Sequence, residues 1–199
     1  MLRRAVVTAC FAALVTGAAF AQPATPPATP PAPRVTLETT MGAITITLDP
    51  VGAPQTTAHM LRLFRSRHYV GAAIFRVEPG FLIQLGDLDA NLNYRNPPPG
   101  RVPLETANTR HARGAVALAR EDDPGSGKSS FYFDLAANRH LNADPKAPPN
   151  TTGYTVFGRV TAGMAVLDRI AAVELDPTRG PYPGKLPKTP IVVTAVKVE

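Results

Sequence analysis

The chain has 199 residues, 21 Lys plus Arg against 15 Asp plus Glu, a formal net charge of +6, one cysteine and no tryptophan. The basic residues are scattered instead of being gathered on one element with interleaved aromatics, so no nucleic-acid partner is expected. With Cys10 as the single cysteine, a disulfide framework within the chain is excluded.

In chain order, Arg3 and Arg4 precede an apolar run from Ala5 to about Val15 and then Ala19-Phe20-Ala21. This is the layout of a secretory signal, residues 1–21, cut after Ala21. The apolar run is shorter than the about 20 residues that span a bilayer. The expectation is therefore export, to the periplasm or the medium, and no membrane-spanning segment. Cys10 has almost no apolar core ahead of it and reads as part of the signal, not as a lipid-attachment site. Residues 22–33, QPATPPATPPAP, are half proline and are expected to form an extended arm with nothing to bury. Residues 34–199 suffice for one domain and are short for two.

Residues 34–40 and 43–49 alternate apolar and polar side chains around Met41-Gly42, the pattern of a half-buried hairpin. Pro54 then opens a helix over PQTTAHMLRLFRSRHYV, with Ala58, Leu61, Leu63 and Phe64 as its apolar stripe. Strands are expected at 73–78, 81–87, 115–120, 130–135, 154–160 and 191–199, and a second helix at 163–174 with Met164, Leu167, Ile170 and Ala171 on one face. The connection NLNYRNPPPGRV carries three consecutive prolines and reads as a long functional or mobile loop. The class is mostly β, and closure into a barrel would remove exposed edges.

Gly127-Lys128-Ser129 has the look of a phosphate-binding loop, but the glycine such a loop needs five positions earlier is Asp122, followed by Asp123. An aromatic run, Phe131-Tyr132-Phe133, follows where a helix should open. A surface turn leading into a strand is the better reading. The histidines His59, His68, His111 and His140 form no helical pair with an intervening glutamate, so a metal-dependent hydrolase is not expected.

Several blocks together resemble the cyclophilin-type peptidyl-prolyl cis-trans isomerases, particularly exported bacterial ones. They are IFRVEPGFLIQLGD at 74–87, RGAVALAR at 113–120, GKSSFYF at 127–133 and GYTVFGRV at 153–160 followed by GMAVLDRI. The resemblance runs from Arg34 to Glu199 and implies a closed antiparallel eight-stranded β-barrel capped by two α-helices. It also implies a site: Arg76 and Gln84 as catalytic residues, with Phe81, Leu82, Ala119, Ser130, Tyr132, His140, Leu141 and Tyr154 contacting substrate. The chain departs from the family pattern at several of these positions. Phe75 stands for a histidine, Leu82 for a methionine, Ser130 for a glutamine, and Tyr132 for a phenylalanine. His140 and Tyr154 stand where other members carry tryptophan and histidine.

The chemistry implied needs no nucleophile, metal or cofactor. Rotation about a peptide bond costs about 18–20 kcal/mol because resonance is broken, and X-Pro bonds exchange only over tens to hundreds of seconds. A catalyst must hold the twisted bond better than either planar form. An apolar pocket grips the proline ring, and a guanidinium donates to the amide nitrogen as its lone pair localises. The expected partner is a proline-containing polypeptide and the expected state a monomer. The alternative function is a catalytically weak module of the same fold, binding proline-containing segments as a chaperone or adaptor.

Overall fold

The computed structural model describes residues 31–96, 100–106 and 110–199. The expected signal, most of the proline-rich arm and Pro97–Pro99 of the long connection lie outside the described residues. The described residues contain strands β1 Arg34–Thr39, β2 Gly42–Leu48, β3 Ala72–Glu78, β4 Leu82–Asp89, β5 Ala115–Leu118, β6 Phe131–Asp134 and β7 Val156–Ala162. Three more follow, β8 Leu175–Asp176, β9 Leu186–Pro187 and β10 Val193–Val198, and the helices are α1 Pro54–Arg65 and α2 Met164–Ala171.

Eight strands form one antiparallel sheet in the order β10-β1-β2-β7-β5-β6-β4-β3. The hairpin register sets Val35 opposite Ile46 and Leu37 opposite Ile44, and all four are buried. The sheet curls until β3 meets the chain entering β10. There Gly71 N–H donates to the Val193 carbonyl at 2.8 Å and Ile74 N–H to the Ile191 carbonyl at 2.9 Å, around a bridge between Ala73 and Val192. The barrel is thus nearly closed, by a short seam and not a full ladder, which pairs part of the edge that would otherwise seek another strand.

Inward side chains from every barrel strand and both helices make the main core. Phe64, Tyr69, Phe131, Phe133 and Phe157 lie at its centre, with Phe131 edge-on to Phe64, Tyr69, Phe133 and Phe157. The expected strands are present, with ends displaced by at most two residues.

The helices differ more from expectation. α1 stops at Arg65 instead of continuing to Val70, because Arg67 takes a left-handed φ of 59°. Its buried face is Thr56, Thr57, His59, Met60, Leu63 and Phe64, whereas Ala58 is exposed and Leu61 half-buried. Hydrophobicity alone misplaced the stripe because polar residues with fixed partners occupy inward positions. Thr57 Oγ1 donates to the Asp49 carbonyl at 2.9 Å, and His59 Nε2 meets the Lys128 carbonyl at 2.6 Å. The open N–H groups at the start of α1 are capped from afar, since Glu105 accepts from Gln55 N–H and Thr56 N–H at 3.0 and 2.8 Å. In α2 the buried residues are Val166, Leu167 and Ile170, with Met164 and Ala171 packed beside them. The β8–β9 ribbon and the 3-10 turn Arg139–Leu141 had no sequence expectation, being too short to show a period.

Candidate active site

The outer face of β3, β4, β5 and β6 carries the site, and alternation explains why. Ile83 and Leu85 point into the core while Leu82 and Gln84 point out. Likewise Phe131 and Phe133 point in and Tyr132 out, and Val116 and Leu118 in and Ala117 out. The outward residues Leu82, Ala115, Ala117, Tyr132 and Val156 form a second, smaller apolar cluster, against which Phe81, Ala119, Leu141 and Tyr154 pack. Phe81 and Leu82 therefore both lie with this outer cluster and neither in the main core.

Arg76 reaches that face through a bulge. Ile74 pairs with Leu85 and Arg76 with Gln84, so two residues of β3 oppose one step of β4. Strict alternation would put Ile74 and Arg76 on the same side. The extra residue turns Ile74 inward and Arg76 outward, which is the usual effect of a bulge beside a functional site.

The guanidinium is held from several directions. Nη1 donates to Gln84 Oε1 at 3.2 Å, and Gln84 Nε2 donates to Ser130 Oγ at 3.1 Å. The Ser130 hydroxyl in turn donates to the Leu85 carbonyl at 3.3 Å. Ser130 is buried and engaged in orienting Gln84, while also lining an adjoining polar cavity of about 200 Å³. On the other side Arg76 Nε donates to Glu78 Oε1 at 2.7 Å, and Lys185 Nζ donates to Glu78 Oε2 at 2.9 Å. Burial pushes the Glu78 carboxyl up, but the bonds from Lys185 and Arg76 outweigh it and hold it below its usual value. The Tyr182 ring covers the guanidinium at 4.7 Å, and Phe81 lies at 5.9 Å.

Beside Arg76 opens a cavity of about 140 Å³ lined by Phe81, Leu82, Gln84, Ala119, Tyr132, Leu141 and Tyr154, together with Arg120 and Tyr182. All of the sequence-derived site residues except Ser130 and His140 line it. His140 is exposed and stacks on Phe81, with ring centroids 5.4 Å apart. Arg120 Nε donates to the Gly153 carbonyl at 2.9 Å and its guanidinium lies 4.8 Å from the Tyr154 ring centroid. The Tyr132 hydroxyl is buried without a partner among the described residues. Burial first, and then the Asp134 charge, push its pKa well above 10.0.

Behind Tyr132 lies a buried pair for which the sequence carried no expectation. His111 Nδ1 meets Asp134 Oδ2 at 2.8 Å, both side chains being fully buried. Asp134 Oδ1 accepts from Asn138 Nδ2 at 2.6 Å, and the same amide donates to the Phe81 carbonyl at 2.9 Å. Asn138 also begins the turn that carries His140 and Leu141. The pair thereby anchors two walls of the cavity. Glu78 had a detectable signal, since residues two apart on a strand share a face. Tyr182 and Lys185 had none, because only folding brings their loop to β3.

The connection between β5 and β6 makes a surface turn ahead of the stretch that resembled a phosphate loop, with the Asp123 carbonyl accepting from Ser126 N–H at 3.0 Å, whereas Gly127 and Ser129 are buried. Among the described residues no group of three or more His, Cys, Asp or Glu is placed to hold a metal ion, and no helix is long and apolar enough to cross a membrane.

Residues 34–198 match the sequence profile of the family described as cyclophilin type peptidyl-prolyl cis-trans isomerase/CLD. A peptidyl-prolyl cis-trans isomerase of Streptomyces antibioticus is 34% identical over 167 residues, covering 82% of this chain and 97% of its own length. Peptidyl-prolyl cis-trans isomerase A of Dickeya dadantii is also 34% identical over 167 residues, covering 82% and 83%. Among solved structures, a cyclophilin-type isomerase of Cryptosporidium parvum superposes with a TM-score of 0.67 at 18% identity, over 83% of this chain and 96% of the other. A cyclophilin from Hirschia baltica superposes with a TM-score of 0.64 at 23% identity, over 82% and 73%. With the profile spanning the whole barrel and relatives above 30% identity along most of their length, the chain belongs to the cyclophilin-type peptidyl-prolyl cis-trans isomerase family.

Proposed function

We propose that the protein accelerates X-Pro bond isomerisation with Arg76 as its central catalytic residue. The observation that carries this is a guanidinium fixed at the rim of a cavity walled by Phe81, Leu82, Tyr132 and Leu141, with Glu78 on one side and Gln84 on the other. Phe81, Leu82, Tyr132 and Leu141 receive the proline ring and strip water from the amide. Glu78 and Gln84 leave donor capacity at Nη1 and Nη2 of Arg76. Those N–H groups face a substrate amide nitrogen whose lone pair becomes basic only in the twisted state. Stabilisation that grows with twisting lowers the barrier without tightening the ground state.

The leader-like residues 1–21 and the proline-rich 22–33 support a reading in which the barrel begins near Arg34 and acts on exported polypeptides, in the periplasm or outside the cell. The expected clients are proline-containing segments, and the expected form is a monomer without cofactor.

The test is the cis-to-trans exchange rate of a short Ala-Pro-Phe peptide, read by exchange NMR with residues 22–199 and with Arg76→Ala. Loss of one preorganised donor to a developing charge costs about 10²–10³ in rate, so the variant should lose nearly all acceleration. If the variant keeps it, Arg76 is not the donor. If neither protein accelerates exchange while the peptide still binds, the chain is a proline-binding module.

A further inference from the structure

Tyr182 belongs to none of the blocks that carry the family resemblance, yet it lies at the centre of the site. Its ring covers the Arg76 guanidinium at 4.7 Å and runs nearly parallel to the Phe75 ring, with centroids 6.4 Å apart and planes 13° apart. It lines both the cavity beside Arg76 and the polar cavity next to it. A peptide that places a proline in the first and continues toward the second must pass this ring. With 40% of its surface exposed, Tyr182 is among the few large apolar side chains open to solvent among the described residues.

The ring is also rigidly presented. Pro181 and Pro183 flank it, which restricts the backbone on both sides. Lys185 N–H donates to the Tyr182 carbonyl at 3.0 Å, Gly184 N–H to the Asp176 carbonyl at 3.1 Å, and Val77 N–H to the Lys185 carbonyl at 2.7 Å. The Lys185 ammonium then ties the loop to Glu78, the partner of Arg76. A pinned aromatic ring beside a reactive guanidinium offers a flat apolar surface at little ordering cost, and such surfaces favour aromatic and apolar neighbours.

We propose that Tyr182 is a specificity-determining residue, selecting substrates in which the residue next to the proline is aromatic or large and apolar. The inference rests on the isomerase reading of the site, but its test reads binding and not rate. Dissociation constants are measured by NMR titration for Ala-Ala-Pro-Ala, Ala-Ala-Pro-Phe and Ala-Phe-Pro-Ala, with the native chain, Tyr182→Phe and Tyr182→Ala. An aromatic contact corresponds to about 2- to 10-fold in affinity. One of the Phe peptides should therefore bind the native chain and Tyr182→Phe that much tighter than Ala-Ala-Pro-Ala, and Tyr182→Ala should erase the ratio. An unchanged ratio in Tyr182→Ala, or no ratio in the native chain, overturns the proposal. A wild-type measurement stands beside these: nuclear Overhauser contacts between the Tyr182 ring and the peptide Phe ring are expected, and their absence overturns it too. Exchange rates collected on the same samples report separately on catalysis. A Tyr182-dependent preference without acceleration would keep this inference and remove the isomerase reading.

Discussion

Replacing Asp134 by alanine tests whether the buried pair behind the cavity holds the site together. The carboxylate is fully buried, with His111 Nδ1 at 2.8 Å on one oxygen and Asn138 Nδ2 at 2.6 Å on the other. Alanine leaves His111 Nδ1 unpartnered, whereas Asn138 Nδ2 keeps its bond to the Phe81 carbonyl. A buried polar group stripped of its partner costs about 1–3 kcal/mol, and the space vacated by the carboxylate adds to that, for a loss of roughly 2–4 kcal/mol. In a domain of this size each kcal/mol moves Tm by about 2–4 °C. The expected fall in Tm is therefore roughly 5–15 °C, read by circular dichroism and by urea unfolding.

Asp134→Asn serves as the conservative comparison. Its amide oxygen can still accept from Asn138 while its NH₂ donates to the other tautomer of His111, so less than half the loss is expected. Because Asn138 also grips Phe81 and begins the turn with Leu141, proline-peptide affinity should weaken several-fold in the alanine variant at temperatures where it is folded. An Asp134→Ala protein within about 0.5 kcal/mol of wild type, the range of an unremarkable surface change, would refute the reasoning.

Tyr132→Phe removes a buried hydroxyl that has no partner among the described residues. It should raise stability by about 1 kcal/mol, and a comparable loss in urea unfolding would show that the hydroxyl is satisfied in solution. Glu78→Gln replaces a charge-assisted bond to Arg76 by a neutral one, a change of about 1 kcal/mol. The exchange-NMR rate should drop by about 5-fold with peptide Kd little changed, and Glu78→Asp should recover part of it. Since pairing holds the Glu78 carboxyl below its usual 4.5, its stabilising contribution is present above that pH and is lost as pH falls through the folded value. His59 yields a second pH dependence. Its Nε2–H donates to the Lys128 carbonyl and its Nδ1 accepts from Arg62 Nη2, an arrangement open only to the neutral ring. Burial lowers its pKa below 6.5, the Lys128 carbonyl opposes that shift, and the Arg62 charge adds to it. The folded state therefore resists the proton, and stability present above pH 6.5 is lost as pH falls through the folded value. His59→Gln should flatten the unfolding free energy between pH 7 and pH 5, with His68, also lowered by burial, leaving a residual slope.

Much of the barrel was legible because period-two alternation is a local property. Val35, Leu37, Ile44 and Ile46 announce a half-buried hairpin without reference to the rest of the chain. The α1 stripe was misplaced because Thr56, Thr57 and His59 are polar by composition yet point inward, where the Asp49 and Lys128 carbonyls bond Thr57 and His59. In the candidate site, seven of the residues implied by the resemblance line the cavity beside Arg76 and Gln84 or pack against it; five come from blocks on or beside neighbouring strands, whereas His140 and Leu141 come from the 3-10 turn outside them. Ser130 stands behind them, its hydroxyl engaged with Gln84 and Leu85.

What the chain determined by itself was the alternation of its strands, the apolar faces of its helices in outline, and the presence of Arg76 and Gln84 within one recognisable block. These depend on residues close in sequence, whose spacing is visible in one dimension. Tertiary structure alone decided the rest. It placed the β3 bulge that aims Arg76 outward, brought Lys185 and Tyr182 onto Glu78 and Arg76, and buried His111 against Asp134. Each of these joins residues through strand register or a returning loop. Register and loop return are set by the packing of the whole barrel, which no local pattern encodes.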